Sequence, residues 1–238
     1  MGNDADDERG PAAIAAYGEV RAALIEALAP VDDATAAATT VPATPDWSVT
    51  DAVAHVAGVC IDIVDGNLDG VGTAAWADGH VARHAHLGLA ALLDRWADTA
   101  AAIDGLGPYI PGRAATQFCF DGATHAHDVR GALGLPGDRE GAGVLVGLEF
   151  LAGALDRLVQ ARDLAPLVLE SPAWRHGPEE AGPTAVRLEA PTFELFRAFG
   201  GRRSLDQIRA MDWSADPEPY LAVFEGSPLV PPAVALVE

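Results

Sequence analysis

The sequence predicts a mainly α protein: a helical bundle over residues 11–165, followed by a small mixed α and β appendage over 166–238. Three observations carry this. Apolar residues recur at spacings of three and four through most of the first part, the period of a single helix face. Capping residues at the heads of these stripes, and glycine or proline at their tails, bracket them as separate helices. After Pro166 the texture changes to short strand-like runs separated by glycine and proline.

Residues 1–10 read as a frayed, charged tail. From Pro11, the residues Ile14, Val20, Ala23, Leu24 and Leu28 have helical spacing, and Pro30 ends the run. A loop rich in Ala, Thr and Pro follows to about Asp46. Ser48 caps the next helix with Asp51 three residues on, a capping box with a carboxylate in place of the usual Glu. Its apolar positions are Val53, Val56, Ala57, Cys60, Ile61 and Val64, and it runs to about Asp65. Leu68–Gly79 reads as a loop. One long helix is expected from about His80 to Ile103, carrying Leu89, Leu92, Leu93, Trp96, Ala100 and Ile103. A further helix begins near Ala114 and stops at Gly134, with Pro136 beyond it. A fifth fits Gly141–Arg162, striped by Val144, Leu148, Leu151, Leu155 and Leu158.

In the appendage, Leu167–Glu170 and Thr184–Glu189 are strand-like and separated by a Gly/Pro/Glu loop, the pattern of a small hairpin. Pro191–Phe199 is a short amphipathic helix stopped by Gly200 and Gly201. Ser204 caps another, Leu205–Met211. The Pro-rich end from Asp216 is expected to wrap the surface.

The formal charge is −20, and all 15 basic residues are Arg. Such acidity argues against nucleic acid and anionic membranes as partners. No apolar run approaches the roughly 18 residues of a membrane span. The acidic N-terminus lacks a signal-peptide layout, so a cytoplasmic protein is expected. Cys60 and Cys119 have no CxxC spacing and fall off the faces discussed next; they read as buried small hydrophobes.

The chemistry concentrates in Asp121-Gly-Ala-Thr-His125-Ala-His-Asp128. On a helix, Asp121 and His125 lie one above the other on one face, and an imidazole and a carboxylate so placed can share a divalent metal ion. A third ligand is needed. His55 is the best candidate, an ionisable side chain inside the small apolar run Ala52-Val-Ala-His-Val-Ala-Gly, where it needs a partner. By spacing alone, Asp121 could equally complement the helix dipole beside a half-buried histidine. His127 points about 200° away from His125 at about 100° per residue. His80, His84 and His86 form a rival cluster, expected as exposed histidines at a helix start. Asp128 is a candidate to orient a ligand. Arg197, Arg202 and Arg203 are weak candidates for binding a substrate anion, since guanidinium forks match carboxylates. No phosphate loop, nucleophile elbow or H-E-x-x-H helix is present.

The segment Trp47-Ser-Val-Thr-Asp-Ala-Val-Ala-His55-Val-Ala-Gly58 resembles the first signature of the actinobacterial mycothiol-dependent maleylpyruvate isomerase family, within the DinB-like superfamily. Asp121 to Gly134 is similar to its second: an acidic residue, three spacers, His, two spacers and Asp, then a helix end rich in Ala, Leu and Gly. Ala190–Ser204 and Gln207–Trp213 resemble the C-terminal segment of many members, so the likeness spans most of the chain in order. It implies a DinB-like four-helix bundle holding one divalent metal, zinc before nickel or iron, on His55, Asp121 and His125. The family's carboxylate is commonly Glu; here it is Asp121, one methylene shorter.

That resemblance implies a transferase or isomerase in which mycothiol, a low-molecular-weight thiol co-substrate, attacks a small electrophilic molecule. The alternatives are a metal-dependent hydrolase on the same bundle and a non-catalytic bundle that binds a small molecule or a partner. Neither the electrophile nor the oligomeric state is legible in the sequence.

Overall fold

A computed structural model describes residues 4–178, 184–225, 227 and 229–237. The chain divides into two compact units, residues 1–137 and 138–237. The expected boundary at 165/166 therefore falls inside the second unit, which includes the fifth helix of the sequence reading.

The first unit is helical. Its elements are α1 (Asp4–Leu28), α2 (Asp33–Ala38), the short ribbon β1 (Thr40–Val41) and β2 (Thr44–Ser48), α3 (Val49–Asp65), α4 (Ala74–His84), α5 (Leu89–Asp98), α6 (Ala100–Asp104) and α7 (Gly112–Leu133). Helices α1, α3, α5 and α7 form the bundle: α1 lies along α7, and α3 packs on both α5 and α7. The core is Tyr17, Leu24, Leu28, Val53, Val56, Leu89, Leu92, Trp96 and Ile103, all buried. Close approach of α1 to α7 depends on Gly122, where a Cβ would stand 2.6 Å from the Tyr17 ring.

The expected caps form. Asp51 N–H donates to Ser48 Oγ, and Ser48 N–H donates to Asp51 Oδ2, closing the capping box that starts α3. Gly134, at φ 64°, ends α7 in the left-handed conformation that glycine adopts without penalty.

Three expectations are corrected in this unit. Helix α1 starts at Asp4 rather than Pro11, so residues 4–10 are helical, while 1–3 lie outside the described residues. The loop before Ser48 holds α2 and the β1–β2 ribbon. The long helix from His80 is three helices, α4, α5 and α6. Thr73 caps α4 by accepting the Trp76 N–H, six residues ahead of the expected start. Gly88, in extended backbone, opens α5.

The second unit holds α8 (Ala142–Ala161), β3 (Leu167–Ser171), β4 (Trp174–His176), β5 (Val186–Glu189), α9 (Thr192–Phe199), α10 (Leu205–Arg209), β6 (Asp212–Trp213) and α11 (Glu218–Leu221). Its sheet has the order β4-β3-β5-β6, and α8 packs on α9. The expected hairpin of β3 with β5 is wrong in sense. The two pair in parallel, Leu167 opposite Val186 through Glu170 opposite Glu189. A tight turn, in which Ser171 Oγ accepts the Trp174 N–H, sends the chain straight back as β4. Strand β4 takes one edge of β3, so β5 arrives on the other. The expected loop between the strands falls partly on residues 179–183, outside the described residues.

Candidate metal centre

Helix α3 supplies His55 and α7 supplies Asp121 and His125, one helical turn apart. One ligand atom from each lies within 4.8 Å of the others, the only such group of His, Cys, Asp or Glu among the described residues. His55 Nε2 is 3.5 Å from Asp121 Oδ2, and His125 Nε2 is 3.8 Å from Asp121 Oδ1. The two imidazoles meet edge to face at 4.9 Å between centroids. Both rings are buried, at 5% and 8% exposure, whereas the Asp121 side chain is 38% exposed. Access is therefore from the carboxylate side. Trp47, at the end of β2, lies 5.2 Å from the His55 ring and 5.8 Å from the His125 ring, walling both.

These distances fit a shared cation. The two gaps to the carboxylate are longer than hydrogen bonds. Ligand atoms at about 2.0–2.2 Å from a tetrahedral zinc stand about 3.3–3.6 Å from one another, close to the two gaps to the carboxylate. Two neutral imidazole nitrogens and a carboxylate are also the donor set of many open zinc sites.

Behind the cluster, the other nitrogen of His55 is hydrogen-bonded, and that of His125 lies near a carboxylate without a hydrogen bond. His125 Nδ1 faces Asp128 Oδ2 at 3.4 Å, and Asp128 is buried. His55 Nδ1 lies 3.3 Å from His80 Nδ1. His80 Nε2 in turn is 3.0 Å from Asp62 Oδ2, which also accepts from Arg83 Nη2. Burial holds the His80 imidazole down at a pKa of about 4, helped by His55 and opposed by the Asp62 hydrogen bond.

His80 corrects the sequence reading. It was expected at an exposed helix start in a rival cluster with His84 and His86. Instead it sits inside α4 at 0% exposure, against His55, and His84 is buried too. The signal in the sequence was Gly58, a glycine inside an apolar helix, which marks a close approach. A Cβ at Gly58 would stand 2.7 Å from His80 Cβ and Cγ. His127 is half-buried beside Gly137 and does not join the group.

Cys60 and Cys119 are buried and free. Burial raises both thiols, Cys119 to about 12. In the second unit, Arg203 closes a fork on Glu194, Nε to Oε2 at 2.7 Å and Nη2 to Oε1 at 2.9 Å. Arg202 Nη1 donates to Gly200 O, and Arg197 is buried against the Phe193 ring.

Fold and site together are a mainly α helical bundle with a His/Asp/His cluster. Two solved structures share the fold, the mycothiol-dependent maleylpyruvate isomerase and a mutant of it. They align over 85% of this chain and 91% of theirs, at TM-scores of 0.57 and 0.56 and 16% identity. At that identity the likeness is one of fold. No protein-family model matches the chain, and no curated protein matches it in sequence. No helix among the described residues is long and apolar enough to cross a membrane.

Proposed function

We propose that this protein is a metal-dependent enzyme that uses a low-molecular-weight thiol, of the mycothiol type, against a small electrophilic substrate. The observation that carries the reading is the convergence of His55, Asp121 and His125 in a bundle shared with a mycothiol-dependent isomerase. His55, Asp121 and His125 would hold one divalent ion, zinc before nickel or iron. Such an ion, with a coordination position left open, acts as a Lewis acid that favours the thiolate form of a thiol near neutral pH.

The chain's own residues do the rest. Asp121, the exposed member, marks the side on which thiol and electrophile enter. Trp47 keeps water from the flanks of both imidazoles. His80 holds the His55 ring so that its Nε2 faces the carboxylate, and Asp128 lies beside the far nitrogen of His125. Attack of the thiol on an electrophilic carbon then gives isomerisation through a transient adduct, or stable thiol transfer.

The test is metal content of purified wild type and His125→Ala, followed by turnover of electrophiles with and without mycothiol. About one zinc, nickel or iron per chain in the wild type, lost in the variant, with thiol-dependent turnover, is expected. Metal with thiol-independent hydrolysis would replace this reading by a hydrolase with water as nucleophile. A wild type that takes up no zinc would leave a non-catalytic binding bundle.

A further inference from the structure

We infer that His80, held by Asp62, is a positioning residue that fixes His55 in the tautomer protonated on Nδ1, leaving Nε2 as a lone pair aimed at Asp121 and His125. The inference rests on the metal reading for its purpose but on hydrogen-bond logic for its content.

The two Nδ1 atoms face one another at 3.3 Å, so one of them donates and the other accepts. Which one donates is decided at the far sides of the two rings. Asp62 Oδ2 accepts from Arg83, and an ionised carboxylate has no proton to give. The hydrogen between Asp62 and His80 therefore sits on His80 Nε2, 3.0 Å away. The other side of His55 assigns the hydrogen between the rings: a proton on Nε2 would face Asp121 Oδ2 at 3.5 Å, longer than a hydrogen bond, whereas a proton on Nδ1 is donated to His80 Nδ1 at 3.3 Å. His55 Nε2 is left bare, 3.5 Å from Asp121 Oδ2. A metal-ligating histidine needs just this, since its second nitrogen must donate elsewhere for the first to bind.

The seat of His80 is built rather than incidental. Helix α3 presents Gly58 where the ring enters, and any Cβ there would collide with it. Trp76, one turn earlier on α4, meets the ring edge-on at 4.2 Å between centroids. Arg83, on the next turn of the same helix, fixes Asp62. Three elements of one helix pair thus converge on the orientation of a single imidazole.

The experiment uses the full-length chain, stripped of metal with a chelator, and its Leu and Asn variants at position 80. Long-range proton–nitrogen NMR of the histidine rings reads the tautomer, with the His55 signals assigned by their loss in His55→Ala. Zinc affinity is measured separately by competition with a chromophoric chelator. Wild-type His55 is expected to carry its proton on Nδ1. In His80→Leu, that preference is lost and zinc affinity falls about 10–100-fold. His80→Asn places an amide oxygen near the position of the lost Nδ1, and so restores both the tautomer and most of the affinity. A purely structural role would instead lower stability in both variants and leave the tautomer unmoved.

His55 protonated on Nε2 in the wild type, or an unchanged tautomer in a folded His80→Leu, would overturn the inference. If His80→Leu does not fold, the wild-type spectrum and the Asn variant decide it. A wild type that binds no zinc would sink the metal reading alone, because the ring spectrum still reports the tautomer.

Discussion

At Cys60 the Tyr17 hydroxyl stands 2.8 Å from the thiol and accepts the Trp96 indole N–H at 2.9 Å. At His55, less than two turns earlier on the same helix α3, the groups facing the imidazole Nε2 and its partner His125 stand 3.5 and 3.8 Å away. The first cluster is wholly buried and its polar atoms close on one another; the second opens to solvent at Asp121 and converges without closing. A closed buried network is what a core requires, because an unpaired polar atom there costs about 1–3 kcal/mol. A convergent cluster that stops short of hydrogen-bond distance has room for something in the middle. One helix thus carries a structural polar cluster and a ligand-shaped one, and what separates them is closure, not composition.

The largest effect expected from this contrast is chemical. A closed network should make its thiol inert, and burial raises both cysteines. For Cys119, at about 12, the thiolate fraction near pH 8.5 is about 1000-fold below that of an ordinary thiol. Native protein should therefore resist iodoacetamide at both positions and take up two equivalents once unfolded. Rapid native labelling of Cys60 would break the comparison, since it would put an accessible nucleophile beside the site.

The next is energetic. Tyr17→Phe removes the hydroxyl and leaves the Trp96 N–H and the Cys60 thiol without it. A loss of about 1–3 kcal/mol in denaturant unfolding is expected, with zinc affinity unchanged. The same assay on His55→Ala should also cost stability, because it leaves the buried His80 Nδ1 unpaired, but here zinc affinity should fall as well, by more than the about 10–100-fold typical of losing an outer partner. If Tyr17→Phe lowered zinc affinity as much as His55→Ala, the two clusters would be one network, and the distinction drawn by their distances would fail.

The sequence made one side of this contrast readable and hid the other. The Ser48–Asp51 cap, the Gly134 stop and the Asp121/His125 pairing are all local, set by residues three or four apart, and they stand where expected. The packing of α3 on α7 then brings His55 to Asp121, as the sequence resemblance implied. His80 was misjudged because two weak signals hid its place. The Thr73 cap lies in a Gly- and Asp-rich stretch that reads as loop, and the apolar stripe from Leu89 to Ile103 runs across the breaks that separate α5 from α6. Its partners, His55 and Asp62, are 25 and 18 residues away, a tertiary fact no periodicity encodes. Strand β4 was missed for a similar reason. Three residues after a proline carry no alternation, and the sense of the β3–β5 pairing follows from which edge β4 occupies.

The smallest effect comes from the second unit, where Arg203 and Glu194 form a closed pair of another kind. The Arg203 fork holds the Glu194 carboxyl below its ordinary range, chiefly through the hydrogen bonds it donates. A carboxyl depressed in the folded state stabilises above its unfolded pKa of about 4.3, and that contribution is lost as pH falls through the folded value. Glu194→Gln should therefore cost stability at neutral pH, and the gap to wild type should narrow as pH drops below the unfolded value. The cost is about 1 kcal/mol, because the Glu194 side chain is 34% exposed and the amide can still accept one of the two bonds. Zinc affinity should not move. If the gap held constant with pH, the pair would act through shape rather than charge. Substrate binding that weakened in Glu194→Gln without loss of stability would make the Arg203 fork part of substrate recognition rather than a purely structural pair.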